Sequence, residues 1–392
     1  MYLDMARLFR GMAHLLALSV IKRVMLNLWI NFRILKSYFY KPKRNVYLFL
    51  PINGAGLGHL TRLLAIARSL KVLRPDAEIV FFTTSIGVPL VHRAGFVCHH
   101  VIPSALLKKS SLSWNRIFLN ALVDVIKLHR PSSLVFDGSM PYLGLQKVMK
   151  SFGSIKYVWV KRGLYKEGTD LKKIDKATRL FDIILSPGEV YDDPALAKCS
   201  AKFNYIAPIS LISKEDLLDF DVSINLLRLS RARPRAYVQL GAGNINGIKD
   251  LQEKIVNCLR SRGIQVVLGQ SPISISSSPE TNADLVITDY PNSKYFSAFD
   301  FAVLASGYNS VCEAVMLDLP AIFFPNVATG ADDQVKRACK VSCYGFNKVM
   351  LDYNDGEFLL AVDELLNKRN SKCIYSGKNG AADAAAFIAA EG

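Results

Sequence analysis

Two successive sets of short apolar segments, each alternating with helix-length amphipathic stretches, constrain this chain more than any other feature. In the first set, Val46–Leu50, Glu78–Phe82, Ser133–Phe136, Lys156–Val160 and Asp182–Leu185 read as strands, with helical periodicity between them, as in Thr61–Leu70 and Trp114–His129. The second set holds Ala236–Leu240, Gln265–Leu268, Leu285–Thr288, Phe301–Leu304 and Ala321–Phe324. Strands that alternate with helices pair in parallel, and the helices cover both faces of the sheet. The length agrees, because 392 residues are more than one hydrophobic core fills. The expectation is an α/β chain of two units, 45–208 and 209–375, joined in the Pro-containing stretch from Ala207-Pro208 to Arg233-Pro234. Residues 1–44 form an appendage, and 376–392, ending GAADAAAFIAAEG, form a terminal helix.

Charge is placed unevenly. The net charge is +16, and the first 45 residues hold nine Lys and Arg against Asp4 alone, half of the excess. On a helix, Arg7, Arg10, Lys22, Arg33 and Lys36 fall within an arc of about 140°, with only Arg23 outside it. The longest uncharged run, Gly11 to Ile21, is eleven residues, against the ~20 that a spanning helix needs. No small-residue cleavage site follows it. A basic amphipathic segment lying on an anionic membrane surface is expected, each nearby Lys or Arg adding about 1 kcal/mol. The competing reading is a helix pair packed on the protein's own surface. Nucleic acid is not an expected partner, because the folded part carries no basic stripe with a motif of its own. The seven cysteines are odd in number and scattered, without CxxC, as in a reducing compartment. Cys339 and Cys343 lie one helical turn apart with no second ligand pair, so no metal is expected there.

The first strand runs into NGAGLGHLTR, Asn53 to Arg62, which opens a helix. Backbone N–H groups and the helix dipole make such a junction an anion cradle. Gly54, Gly56 and Gly58 are spaced one residue short of the dinucleotide fingerprint, and the second strand ends in Thr83-Thr84 rather than the acid that would hold a ribose. No Gly-Lys-Ser/Thr follows, which excludes a Walker loop. His59, in the first helical turn, is a candidate general base because imidazole titrates near neutral pH. It needs an orienting acid, and Asp137, at the C-terminal end of a strand in the same unit, is the candidate. A histidine that merely caps the loop is the alternative.

The second unit holds FAVLASGYNSVCEAVMLDLPAIFFPNVATGADDQVKRA, 301–338. Its loop Ser306–Ser310 meets a helix N-terminus and can hold a phosphate. Glu313, one turn in, can accept bonds from both hydroxyls of a ribose, and Asp333 and Gln334 can meet sugar hydroxyls. Asp219-Phe220-Asp221 has the spacing of a D-x-D metal motif but lies between the units, so metal binding is not expected there.

Taken together, these segments resemble the GT-B glycosyltransferases, above all the UDP-glycosyltransferases and the peptidoglycan N-acetylglucosaminyltransferase that acts on a lipid-linked precursor. The resemblance rests on Gly58-His59-Leu60-Thr61-Arg62, Leu240-Gly241-Ala242-Gly243-Asn244, Gly307 through Ala314, Pro320 and Asp333-Gln334, and covers roughly residues 45–375. It implies two Rossmann-like domains facing across a cleft, the second binding a nucleotide sugar and the first the acceptor. It implies inversion at the anomeric carbon with no required metal or other cofactor. By the same resemblance Gly241, Gly243, Asn244, Ser306, Gly307, Asn309 and Ser310 would hold the diphosphate and Glu313 the ribose. Tyr290, with Pro291, would pack the base, and Asp333 and Gln334 would meet the donor sugar. His59 and Asp137 would carry the chemistry, while Gly56, Gly58, Arg62, Lys161 and Arg162 would line the acceptor side. Asp318 stands where the family often has glycine. The function expected is transfer of a hexosyl group, from a UDP-linked donor, to a lipid-linked or cell-surface glycan acceptor at the cytoplasmic face of a membrane, in polysaccharide or cell-envelope synthesis. A sugar-nucleotide hydrolase or epimerase of the same fold is the enzymatic alternative, and a non-catalytic scaffold subunit the other.

Overall fold

The computed structural model describes residues 40–52, 56–193, 200, 202–241, 249–273, 281–367 and 375–390. Residues 1–39 of the expected appendage, together with Gly243 and Asn244, lie outside them. Among the described residues no helix is long and apolar enough to cross a membrane.

The first half carries seven strands: β1 Val46–Pro51, β2 Glu78–Thr83, β3 Val97–His100, β4 Ser133–Asp137, β5 Lys156–Val160, β6 Ile183–Pro187 and β7 Phe203–Ile206. Between them run α1 Gly58–Leu73, α2 Val88–Arg93, α3 Ser104–Leu107, α4 Ser111–His129, α5 Leu143–Ser151 and α6 Leu171–Thr178. The strands form one parallel sheet in the order β3-β2-β1-β4-β5-β6-β7. The second half carries β8 Arg235–Gln239, β9 Gln265–Gly269, β10 Leu285–Ile287, β11 Phe301–Ala305, β12 Ala321–Phe324 and β13 Lys348–Val349. Its helices are α7 Phe220–Leu227, α8 Lys249–Ser261, α9 Tyr308–Met316, α10 Gln334–Ser342, α11 Asp355–Asn367 and α12 Gly380–Ala390. These strands make a second parallel sheet, β10-β9-β8-β11-β12-β13. The central strands β1, β4 and β11 are buried along their whole length, as strands covered on both faces must be.

All ten strands expected from the sequence form. The three that were not expected, β3, β7 and β13, are outermost in their sheets. An outer strand is paired on one side only and needs no apolar run. The segments Val-Cys-His-His and Phe-Asn-Tyr-Ile therefore carry little periodic signal, and β13 is only two residues long.

Strand order reverses at β1/β4 and again at β8/β11. At such points the loops after the two strands diverge and leave a crevice beyond the strand C-termini. In the first sheet Pro51 is opposite Asp137, and Ile52 N–H donates to the Asp137 carbonyl at 2.9 Å. The loop entering α1 therefore begins beside the Asp137 carboxylate. In the second sheet the loops after β8 and β11 begin at Leu240-Gly241 and at Ser306.

The two halves are firmly joined. Tyr308, at the start of α9, donates its hydroxyl to the Gly188 carbonyl at 3.1 Å and accepts from Ile209 N–H at 3.0 Å. The guanidinium of Arg337 sits bidentate on Glu189, both bonds 2.8 Å. Residues 164–166 pair with 331–333 as a short antiparallel bridge, with Lys166 N–H donating to the Ala331 carbonyl at 2.9 Å. The terminal helix α12 crosses back to pack on α1 in the first half. Its entry is tight: Gly380 donates to the Pro208 carbonyl at 2.8 Å, and a Cβ there would lie 1.9 Å from the Ala207 carbonyl oxygen.

Candidate active site

A cleft of about 540 Å³ lies between the two sheets at their facing C-terminal edges. On the first-half wall are Gly56, Gly58, His59, Arg62, Asp137, Ser139, Lys161 and Arg162. The opposite wall carries Gln239, Gly241, Tyr290, Asn292, Ser293, Gly307, Asn309, Ser310, Glu313, Asp332 and Gln334.

The structure brings His59 and Asp137 together. The imidazole Nδ1 is 2.6 Å from the carboxylate Oδ1, and the ring is 24% exposed, facing the cleft. Arg62, one turn further along α1, clamps the same carboxylate, with Nε to Oδ2 at 2.9 Å and Nη2 to Oδ1 at 2.7 Å. Burial lowers the proton affinity of His59, and the positive charges of Arg62 and Arg162 add to this, while Asp137 opposes it. The ring is therefore neutral at pH 7 with a nitrogen able to take a proton. Burial alone would raise Asp137, but Arg62 and His59 outweigh it and keep the carboxyl ionised.

Across the cleft, the N-terminus of α9 presents Gly307 through Ser310. Glu313 lies one turn in. Burial raises its carboxyl to about 7, and the Ser293 hydroxyl beside it works the other way. Gly241, with φ of +100°, takes a backbone conformation that a side chain would strain, which lets the loop after β8 turn at the cleft edge. Tyr290 reaches across to α1, its hydroxyl 2.8 Å from Thr61 Oγ1. Asn309 Nδ2 approaches the Gly58 carbonyl at 3.4 Å, while its Oδ1 is buried without a hydrogen-bond partner.

Several residues expected to line the cleft have other partners. Asp333 caps α10, its carboxylate accepting from Lys336 N–H at 2.9 Å, and its neighbour Asp332 faces the cleft instead. The cause is the helix start: a carboxylate at the N-cap satisfies an orphan N–H. Ser306 is buried and donates its hydroxyl to the Gln334 carbonyl at 3.0 Å. Arg162 pairs with Asp332 at 2.8 Å, and Arg337 binds the same carboxylate at 2.8 Å. Burial alone would raise Asp332, but Arg162 and Arg337 hold it at about 2. The guanidiniums of Arg62, Arg162 and Arg337 all approach the Tyr308 ring, at 5.3, 5.4 and 5.9 Å. Lys161 lines the cleft, its ammonium 5.2 Å from the Tyr165 ring, and burial lowers its proton affinity against the pull of Asp175. Asp219 precedes α7, and Asp221 pairs with Arg231 at 2.7 Å. Among the described residues no group of three or more His, Cys, Asp or Glu could hold a metal ion.

Sequence reasoning missed Gln239, Asn292, Ser293 and Asp332. Asn292-Ser293 follow Tyr290-Pro291, and that proline is the one local signal that a turn brings them to the cleft.

Solved structures share this fold over nearly their whole length. The glycotransferase of kitacinnamycin matches with a TM-score of 0.58 at 15% identity, over 89% of this chain and 95% of its own. The spinosyn rhamnosyltransferase SpnG, complexed with thymidine diphosphate, matches at 0.57 and 15%, over 89% and 96%. MurG of Acinetobacter baumannii matches at 0.55 and 12%, over 88% and 99%. The fold is GT-B. No protein-family model matches the sequence, and no curated protein matches it either. In this GT-B chain His59 and the N-terminus of α9 occupy opposite walls of one interdomain cleft.

Proposed function

We propose that this protein transfers a sugar from a UDP-linked donor to an acceptor hydroxyl, with inversion at the anomeric carbon. The observation that carries the reading is the 2.6 Å contact of His59 Nδ1 with Asp137, on the wall facing the start of α9. Asp137 accepts from Nδ1–H and so leaves Nε2 as the base. Nε2 takes the acceptor proton as the acceptor oxygen bonds to the anomeric carbon and the bond to the nucleoside diphosphate breaks. Negative charge then grows on the diphosphate, where the N–H groups at Gly307–Ser310, the α9 dipole and the backbone at Gly241 meet it. Glu313 accepts from the ribose, and Tyr290 with Pro291 flanks the base. Gln334 meets the donor sugar, and in this geometry Asp332 takes the place first given to Asp333. Gly56, Gly58 and Lys161 line the acceptor side, while Arg62 and Arg162 shape it through Asp137 and Asp332.

The acceptor we propose is a lipid-linked glycan at an anionic membrane surface. The charge of residues 1–45 supports this. So do exposed Ile102, Leu106 and Leu112, which share a stretch with Lys108 and Lys109.

The test is nucleotide release. The protein is incubated with UDP-sugars, with and without a lipid-linked acceptor. A transferase releases UDP mainly when acceptor is present. Equal release without acceptor points to a hydrolase, and no release from any donor together with no nucleotide binding points to a scaffold. Deleting residues 1–44 leaves donor binding intact and abolishes retention on anionic vesicles. Unchanged retention would defeat the anchoring claim.

A further inference from the structure

We infer that Lys166, a residue of the first half, positions the second-half loop on which the donor sugar rests, so that sugar recognition, unlike nucleotide binding, needs both halves. The inference rests on the donor reading above and deepens it.

The loop between β12 and α10 spans residues 325–333, and Gly330, Ala331 and Asp332 on it line the cleft. Part of its shape is held from within the second half. Asn326 N–H donates to Gln334 Oε1 at 3.1 Å, and Thr329 Oγ1 donates to the Asp332 carbonyl at 2.8 Å. Three further carbonyls, at alternate positions, converge on Lys166. Its ammonium donates to Val327 at 2.7 Å and to Thr329 at 2.6 Å, and its backbone N–H donates to Ala331 at 2.9 Å. Next to it Tyr165 bridges to Asp332, whose carboxylate is held by Arg162 at 2.8 Å.

This clasp is not what keeps the halves together. Arg337 on Glu189, and Tyr308 on Gly188 and Ile209, do that from buried positions. Lys166 is only half-buried, and where water competes for a donor the net gain in stability is small. What the clasp fixes is a shape. Carbonyls spaced two residues apart meet one lysine only if the loop between them takes a single conformation, and the lysine gives up rotamer freedom to hold it. That conformation sets Gly330, Ala331 and Asp332 against the cleft. The groups given to the nucleotide, from Gly241 to Glu313, belong to the second half alone. Removing the ammonium should therefore separate the two parts of the donor: the nucleotide keeps its contacts and the sugar loses the loop. The same segment begins at Lys161, on the acceptor side, so one short stretch of chain faces both substrates. Lys166 is a positioning residue, acting through the loop and not on the reacting atoms.

The test is calorimetric binding of UDP, UDP-glucose, UDP-galactose and UDP-N-acetylglucosamine to the full chain, and to Lys166→Met, which keeps the aliphatic stem and removes the charge. The variant is expected to bind the tightest of the sugar nucleotides roughly tenfold more weakly than wild type, and UDP within about twofold of it. The retained UDP affinity shows that the variant has folded. An equal loss for UDP and the sugar nucleotide, or no loss for either, overturns the inference and leaves the donor reading standing. In the wild type, hydrogen exchange at 163–168 and at 327–333 should slow more with the sugar nucleotide than with UDP, a comparison that does not depend on how the variant folds. Equal protection by the two, or binding of UDP alone, overturns the inference as well. Failure of all four nucleotides to bind overturns the donor reading itself, and the inference with it.

Discussion

Arg337 on α10 lies bidentate on Glu189, in the loop after β6, with both bonds 2.8 Å, and the pair joins the two halves of the molecule behind the cleft. Arg337 is fully buried and also holds Asp332, which in turn binds Arg162 of the first half. The chain Glu189–Arg337–Asp332–Arg162 crosses the domain boundary twice. Each charge in it has an opposite neighbour, so the whole can be buried, but no member can be removed alone.

Glu189→Ala leaves the Arg337 guanidinium short of one carboxylate in a buried site. The variant is expected to lose about 3–5 kcal/mol of unfolding free energy, read from the urea midpoint. A loss below 1 kcal/mol would show that the pair does not hold the domains.

Asp137→Asn keeps the shape of the His59 contact but lets the ring adopt the wrong tautomer, and leaves Arg62 unpaired. Turnover is expected to fall by about 10²–10⁴, with KM for the donor little changed. His59→Ala should fall within the same range, and the double variant no further than the worse single one. An unaltered turnover in either single variant would remove this pair from the chemistry.

The pH profile should report His59. Burial and two arginines lower its proton affinity below the ordinary 6.5, so kcat at saturating donor is flat through neutrality and falls only as the solution becomes more acid than pH 6.5. Replacing Arg62 with Gln removes one positive neighbour, and the acid limb should move to higher pH. An acid limb centred above pH 6.5 in the wild type would contradict the burial of the ring.

Glu313 titrates in the other direction. Its carboxyl is raised from 4.5 to about 7 in the folded chain. The folded state therefore holds this proton more tightly than the unfolded chain, and the group's contribution to stability falls as pH rises from 4.5 through 7. Binding a diol favours the carboxylate, so donor binding releases a proton near neutral pH. Affinity for a UDP-sugar, whose diphosphate does not titrate there, should drop up to tenfold per pH unit below pH 7 and level off above it. Glu313→Gln should remove the slope, and calorimetry in buffers of different ionisation enthalpy counts the proton.

Gly380→Ala places a methyl 1.9 Å from the Ala207 carbonyl oxygen at the point where α12 returns to the first half. Backbone cannot yield there without lifting the helix from α1. The expected loss is about 1–3 kcal/mol, and proteolysis of the terminal helix should become faster.

The residues differ in how far local pattern betrayed them. Strands such as Phe301–Ala305 are apolar throughout because helices cover them on both sides, and a sequence shows that directly. His59 was visible because a glycine-rich strand-to-helix junction leaves few uses for an imidazole. Asp333 caps a helix and Asp332 lines the cleft, a difference the sequence hides because a capping carboxylate and a cleft-facing one look alike in a string of letters. Lys161 and Arg162 were both expected on the acceptor side, and only the fold brought Asp332 to Arg162.

The order of strands and helices, the two α/β units and the pair of glycine-bearing loops were determined by the sequence alone, since burial periodicity and backbone propensity act over a few neighbouring residues. The partners in the cleft were decided only in three dimensions. His59 and Asp137 are 78 positions apart, and Glu189 and Arg337 are 148 apart. Whether a charge meets solvent, substrate or an opposite charge depends on which strand ends the reversal of sheet order sets side by side, and no local pattern carries that distance.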